Sequence, residues 1–158
     1  MKAMVVYFTS SGRTKTVAEA IAAELSNYEV TIEPITSTKS PLTIGKEKDR
    51  LLAGDLSDLS YDKSVFDWSP YDLVCIGVPV WGFRPALIFD AYIQKCEGLP
   101  GKKAVVFVTC RIYSASSLKK MKSAIEKKGG NVVNQKSFRA FSKISEKKAR
   151  EFGKAINQ

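Results

Sequence analysis

Histidine is absent from the 158 residues, which removes imidazole as a general base, a metal ligand or a member of a nucleophilic triad. Cysteine is scarce: Cys75, Cys96 and Cys110 are odd in number and widely spaced. Such spacing matches no zinc or iron–sulfur pattern, and it reads as reduced thiols in or beside an apolar core. Neither a metal nor a catalytic side chain is expected. No apolar run approaches the roughly 18 residues of a membrane span, and the start has no basic leader, so a soluble cytoplasmic protein is expected. The GxGxxG and GxxxxGK[ST] fingerprints are also missing, which argues against a dinucleotide loop and a nucleoside-triphosphate loop of the usual kinds.

What is abundant is positive charge, and it is unevenly placed. Residues 1–100 hold 10 basic and 13 acidic side chains, whereas residues 101–158 hold 15 basic and 3 acidic. The C-terminal third is therefore a cationic field open to three readings: solvated helix surface, an acidic partner protein or anionic substrate or cofactor, or nucleic acid. Its lysines fall in pairs (Lys119–Lys120, Lys127–Lys128, Lys147–Lys148) with no interleaved aromatics, which argues against nucleic acid.

One stretch organises the rest. Met4 to Phe8 is an apolar run that enters a small, polar turn, Thr9 to Thr14, and the turn opens directly into a helical pattern. Thr9, Ser10, Ser11, Gly12, Arg13 and Thr14 would gather backbone N–H groups and short hydroxyls at a helix N-terminus, a seat for a single terminal phosphate. The plainer alternative is that the hydroxyls only cap the helix.

Further along, Val17, Ala18, Ile21, Ala22 and Leu25 recur at helical spacing, and 29–35 reads as a strand near a sheet edge because of Pro34. Residues 36–70 are irregular, with a hint of helix at about 46–56, and are expected to form a crossover or partial lid. A buried strand at 71–78 should stop at Pro79. A helix over 85–96, a strand over 102–109, a helix over 114–128, a peripheral strand over 131–138 and a closing helix over 142–157 complete the pattern. Strand and helix alternate five times, so the expectation is an α/β doubly wound three-layer sandwich, one domain over 1–158, whose five-stranded parallel sheet has the order 2-1-3-4-5.

In that order the loops after the first, third and fourth strands converge on one crevice at the carboxyl ends of the strands. The second of these carries Pro79, Val80, Trp81 and Gly82; Trp81 either stacks on a planar ring or plugs the core. The third carries Thr109, Cys110, Arg111 and Tyr113. Tyr113 would wall the opposite side, and Cys110 is open to oxidation if that loop is exposed. Arg111 either favours the anionic reduced state of a bound ring or pairs with an acid elsewhere.

The motif Thr9-Ser10-Ser11-Gly12-Arg13-Thr14, with the segments 5–25, 72–86 and 102–133, resembles the flavodoxin family over nearly the whole chain. That resemblance implies flavin mononucleotide (FMN), its phosphate held by residues 9–14 without a metal, its ring stacked on Trp81 and, less securely aligned, Tyr113. It implies electron transfer between redox partners. Two other functions stay open: an NAD(P)H-dependent quinone or flavin reductase of the same fold, and a non-catalytic binding module with a basic docking face. Family carriers are typically acidic, whereas this chain is +9 and sets Arg84 and Arg111 in or beside the ligand loops. An acidic redox protein or NAD(P)H is therefore the expected partner, and the chain a monomer or a homodimer.

Overall fold

The computed structural model describes residues 1–158. Strand β1 (Lys2–Phe8) leads into helix α1 (Arg13–Glu24) and strand β2 (Glu29–Ile35). Two short helices, α2 (Pro41–Lys46) and α3 (Lys48–Leu52), and a 3-10 turn at Lys63–Phe66 carry the crossover to β3 (Leu73–Trp81). A two-residue strand β4 (Arg84–Pro85), then α4 (Ile88–Lys95), β5 (Lys103–Cys110), α5 (Ser117–Lys127), β6 (Asn131–Arg139) and α6 (Glu146–Ile156) complete the chain. The main sheet runs β2-β1-β3-β5-β6, all parallel, with β4 folded back antiparallel on the end of β3. Leaving aside the two-residue β4, this is the 2-1-3-4-5 order of a doubly wound α/β sandwich.

Successive side chains of a strand point to opposite faces, and the apolar runs of the three central strands are buried on both. Met4, Val6 and Phe8 face one core together with Val74, Ile76, Val106 and Val108. Ala3, Val5 and Tyr7 face the other together with Cys75, Val105 and Phe107. Helices α4 and α5 and the crossover cover the first face, through Phe89, Tyr92, Met121 and Ile125. Helices α1 and α6 cover the second, through Val17, Ile21, Ala149 and Phe152.

Several boundaries differ from the sequence expectation, each for a local reason. β3 runs through Pro79 to Trp81, because Val80 and Trp81 pair with Pro85 and Arg84. That hairpin takes Arg84 and Pro85 out of the helix expected from residue 85, so α4 begins at Ile88. Ser145 is the N-cap of α6, its Oγ accepting from the Lys148 N–H, and this sets the helix start four residues after Ser142. The helix expected near 46–56 is split in two, the first part starting at Pro41 behind an N-cap at Ser40. Lys128 does not point into solvent: its Nζ donates to the carbonyls of Ile93 and Cys96 at the C-terminus of α4, at 2.8 and 2.7 Å.

Residues 36–70 pack on the α4/α5 face through Ile44, Leu51, Leu56, Val65 and Trp68. Trp68 is fully buried; its indole N–H donates to the Tyr92 hydroxyl at 3.1 Å, which donates to the Val65 carbonyl at 2.8 Å. No helix is long and apolar enough to cross a membrane. All three cysteines are free and buried, and burial pushes the Cys75 and Cys96 thiols up to about 12.

Two outcomes follow. Tyr92→Phe leaves the Trp68 N–H and the Val65 carbonyl without their buried partner and is expected to lower stability by about 1–3 kcal/mol, read from the urea midpoint at unchanged slope. Stability should also fall with rising pH between about 9 and 12. In that window the unfolded chain releases the thiol protons of Cys75 and Cys96 while the folded chain keeps them, which gives a slope of about 1.4 kcal/mol per pH unit per thiol. Cys75→Ala/Cys96→Ala should flatten that part of the pH profile.

Candidate functional site

The end of β1 is followed by a turn that presents its amides outward. Gly12 has φ +86°, open space around it, and an N–H that donates to Thr9 Oγ1 at 3.0 Å. That bond is the turn's one closure by its own side chains. The N–H groups of Ser10, Ser11, Arg13 and Thr14 have no acceptor in the protein, as the first turn of α1 requires of a helix start. Ser10 and Ser11 are exposed, whereas Thr14 is buried and its hydroxyl meets that of Thr109 at 2.8 Å. This contact joins the start of α1 to the end of β5 across the end of β3.

The second loop is a two-residue hairpin. Gly82 and Phe83 both have positive φ, 61° and 62°, between the paired residues Trp81 and Arg84, the backbone pattern of a turn whose twist matches that of its strands. Phe83 thus occupies a conformation that glycine or asparagine normally takes, and the residue is 69% exposed. Trp81 is half-buried; its ring meets Phe8 edge-on with centroids 5.5 Å apart. Arg84 pairs with Asp90 at 2.6 Å.

In the third loop Arg111 is exposed and forms no ion pair, and Tyr113 is 64% exposed. Cys110 is buried, which corrects the expectation that it is open to oxidation. Burial raises its thiol above the ordinary value, only partly opposed by the nearby Arg139 cation, so at neutral pH it is a protonated, weak nucleophile.

Together these loops enclose a cavity of about 550 Å³. From the first loop it takes Ser10, Ser11, Arg13 and Thr14; from the second, Pro79, Val80, Trp81 and Gly82; from the third, Thr109, Cys110, Arg111 and Tyr113. Thr9 and Gly12 stand behind the wall and shape the turn. Arg13 also reaches away from the turn, its guanidinium donating to the Phe141 carbonyl at 2.6 Å. Arg84 is not part of the lining. Four further wall residues escaped the sequence reading: Pro41 and Leu42 from the start of α2, Phe83 and Ile112. A positive φ is invisible in sequence, and Leu42 lies in the stretch whose pattern was weakest; Phe83 and Ile112 had one available signal, their place inside loops already singled out.

The arrangement has a polar end of unpaired amides and hydroxyls and a flat end walled by aromatic and apolar side chains. It suits an elongated ligand with an anionic tail and a planar head. No group of histidine, cysteine or carboxylate side chains is placed to hold a metal.

Comparisons with known proteins identify a family and a shared fold. The family model described as Flavodoxin matches residues 2–152. Among solved structures, a flavoprotein from Lactobacillus acidophilus in complex with FMN is similar at 20% identity and a TM-score of 0.62, covering 86% of this chain and 92% of its own. A WrbA-like flavodoxin from Agrobacterium tumefaciens is similar at 17% identity and 0.65, covering 99% and 94%. A flavodoxin from the domain Archaea is similar at 17% identity and 0.62, covering 99% and 96%. At these identities the likeness is one of fold. No curated protein matches the chain.

The buried hydroxyl pair can be tested directly. Thr109→Val leaves the Thr14 hydroxyl buried without a partner and should cost about 1–3 kcal/mol. Adding Thr14→Val should recover much of that loss, giving a favourable coupling in a double-mutant cycle followed by chemical unfolding.

Proposed function

The chain belongs to the flavodoxin family, and from that premise we propose that the three-loop cavity binds FMN and that the protein carries electrons between redox partners. One observation carries the reading: a row of unpaired amides opens on the same cavity that Trp81 and Tyr113 line. When bound, the flavin supplies the redox chemistry, and the polypeptide supplies position and electrostatics.

Each wall has a task in this reading. The N–H groups of Ser10, Ser11, Arg13 and Thr14, with the serine hydroxyls, receive the phosphate monoester at the N-terminus of α1. Thr9 keeps the turn in shape through the Gly12 N–H. Trp81 and Tyr113 give the ring apolar faces, and Leu42 and Phe83 shield its surroundings from water. Arg111, a cation without an acidic neighbour, favours negative charge on whatever lies in the cavity. A soluble, cytoplasmic carrier with an acidic partner protein fits the cationic C-terminal third.

A second reading is favoured by that same unpaired Arg111: reduction by NAD(P)H without a partner protein, as in a quinone or flavin reductase. Anaerobic mixing with NADPH or NADH separates the two, because flavin bleaching within the turnover range of enzymes supports the reductase and a persistent oxidised spectrum supports the carrier.

The cofactor assignment is tested by titrating the flavin-free protein with FMN and with riboflavin and following flavin fluorescence. FMN should bind about 10- to 100-fold more tightly, the worth of charge-assisted hydrogen bonds to the phosphate. Ser11→Asp should erase that preference while leaving riboflavin binding in place. Equal affinities in the unaltered protein would overturn the assignment.

A further inference from the structure

Behind the third loop lies a second cleft, of about 660 Å³, that the flavin reading does not use. It shares Cys110, Ile112 and Tyr113 with the first cavity, so those residues form a party wall between the two. Its other sides come from β6 and from the segment entering α6. Four cations line it, Lys136, Arg139, Lys143 and Lys148, and none forms an ion pair. One acid, Glu151, faces them. Arg139 is held toward the wall, its guanidinium donating to the Ile112 carbonyl at 3.4 Å. The hydroxyls of Ser114, Ser137 and Ser145 add short donors, and Phe138 and Ile144 supply an apolar floor.

Four unpaired like charges around one concavity repel one another and are stabilised by an anion that enters it. A net excess of three positive charges calls for a ligand with more than one negative charge. The volume falls in the range of about 300–1,000 Å³ typical of small-molecule sites, and the apolar floor with Tyr113 at its edge suits a planar base beside the phosphates. From this combination we propose that the second cleft binds a nucleotide bearing at least two phosphate groups, of the class of adenosine 2′,5′-bisphosphate. Resting on the flavin reading of the adjoining cavity, the nucleotide is identified further as the 2′-phosphorylated nicotinamide dinucleotide, in preference to the form lacking that phosphate.

The test measures binding, independently of flavin reduction. The full chain, with and without FMN, is titrated with 2′,5′-ADP, NADP⁺ and NAD⁺ by calorimetry at two salt concentrations. NADP⁺ should bind at least about tenfold more tightly than NAD⁺, as expected for added charge-assisted contacts, and added salt should weaken it. Arg139→Glu/Lys143→Glu should abolish 2′,5′-ADP binding, Glu151→Gln should strengthen it, and Lys127→Glu on the outer face of α5 should leave it unchanged. Circular dichroism and FMN affinity measured on the same samples show that each variant is folded. Absence of 2′,5′-ADP binding at millimolar concentration, equal affinity for NADP⁺ and NAD⁺, or the same loss in Lys127→Glu would overturn the proposal. Binding of 2′,5′-ADP by a chain that does not bind FMN would retain the nucleotide site and sink the flavin reading; FMN binding without 2′,5′-ADP binding would do the reverse.

Discussion

The contact on which the site depends is a single hydrogen bond between two buried hydroxyls, Thr14 and Thr109, which lie 95 residues apart in the chain. Each sits at an element end: Thr14 in the first turn of α1, Thr109 near the last residue of β5. Both residues are almost fully buried, so leaving either hydroxyl unpaired is costly and the pair is held together by that cost. Because β3 lies between β1 and β5, the contact passes the end of the middle strand and fixes the spacing of the outer two loops. The first turn and the Arg111–Tyr113 wall therefore border one and the same cavity.

That contact is possible because the sheet beneath it is rigid. The central strands are buried on both faces, and the two cores meet only through the backbone of the sheet. Dense packing on both sides leaves the strand ends little freedom, and the loops inherit that order. The crossover adds to this: although irregular, it places Trp68 and Leu56 in the larger core, and its first helix supplies Leu42 to the cavity rim. Loop positions are thus set by packing below them, which is how a rigid scaffold carries a site built from mobile types of residue.

Much of this was legible in the residues. Continuous apolar runs flanked by helical periodicity gave the strands and their parallel order, because burial on two faces leaves no alternation to misread. The turn at 9–14 announced itself by hydroxyls and a glycine before a helix. What stayed hidden was nonlocal. Pro79 looked like a strand end because a proline cannot donate to a ladder; it is carried at the outer end of β3, where its carbonyl accepts from the Ala86 N–H at 2.9 Å. The positive φ of Phe83 contradicts its residue type, so no propensity rule would place it in a two-residue hairpin. The attachment of Arg13 to the Phe141 carbonyl spans 128 residues, and no local pattern encodes it.

That last attachment bears on how the two clefts behave together. The turn after β1 and the connection between β6 and α6 are fastened to each other by one guanidinium, while Ile112 and Tyr113 stand as the partition between the compartments on either side. The two compartments thus have a partition in common and a tie across their outer rim, so a side chain exchanged at Ile112 or Tyr113 alters the walls of both at once.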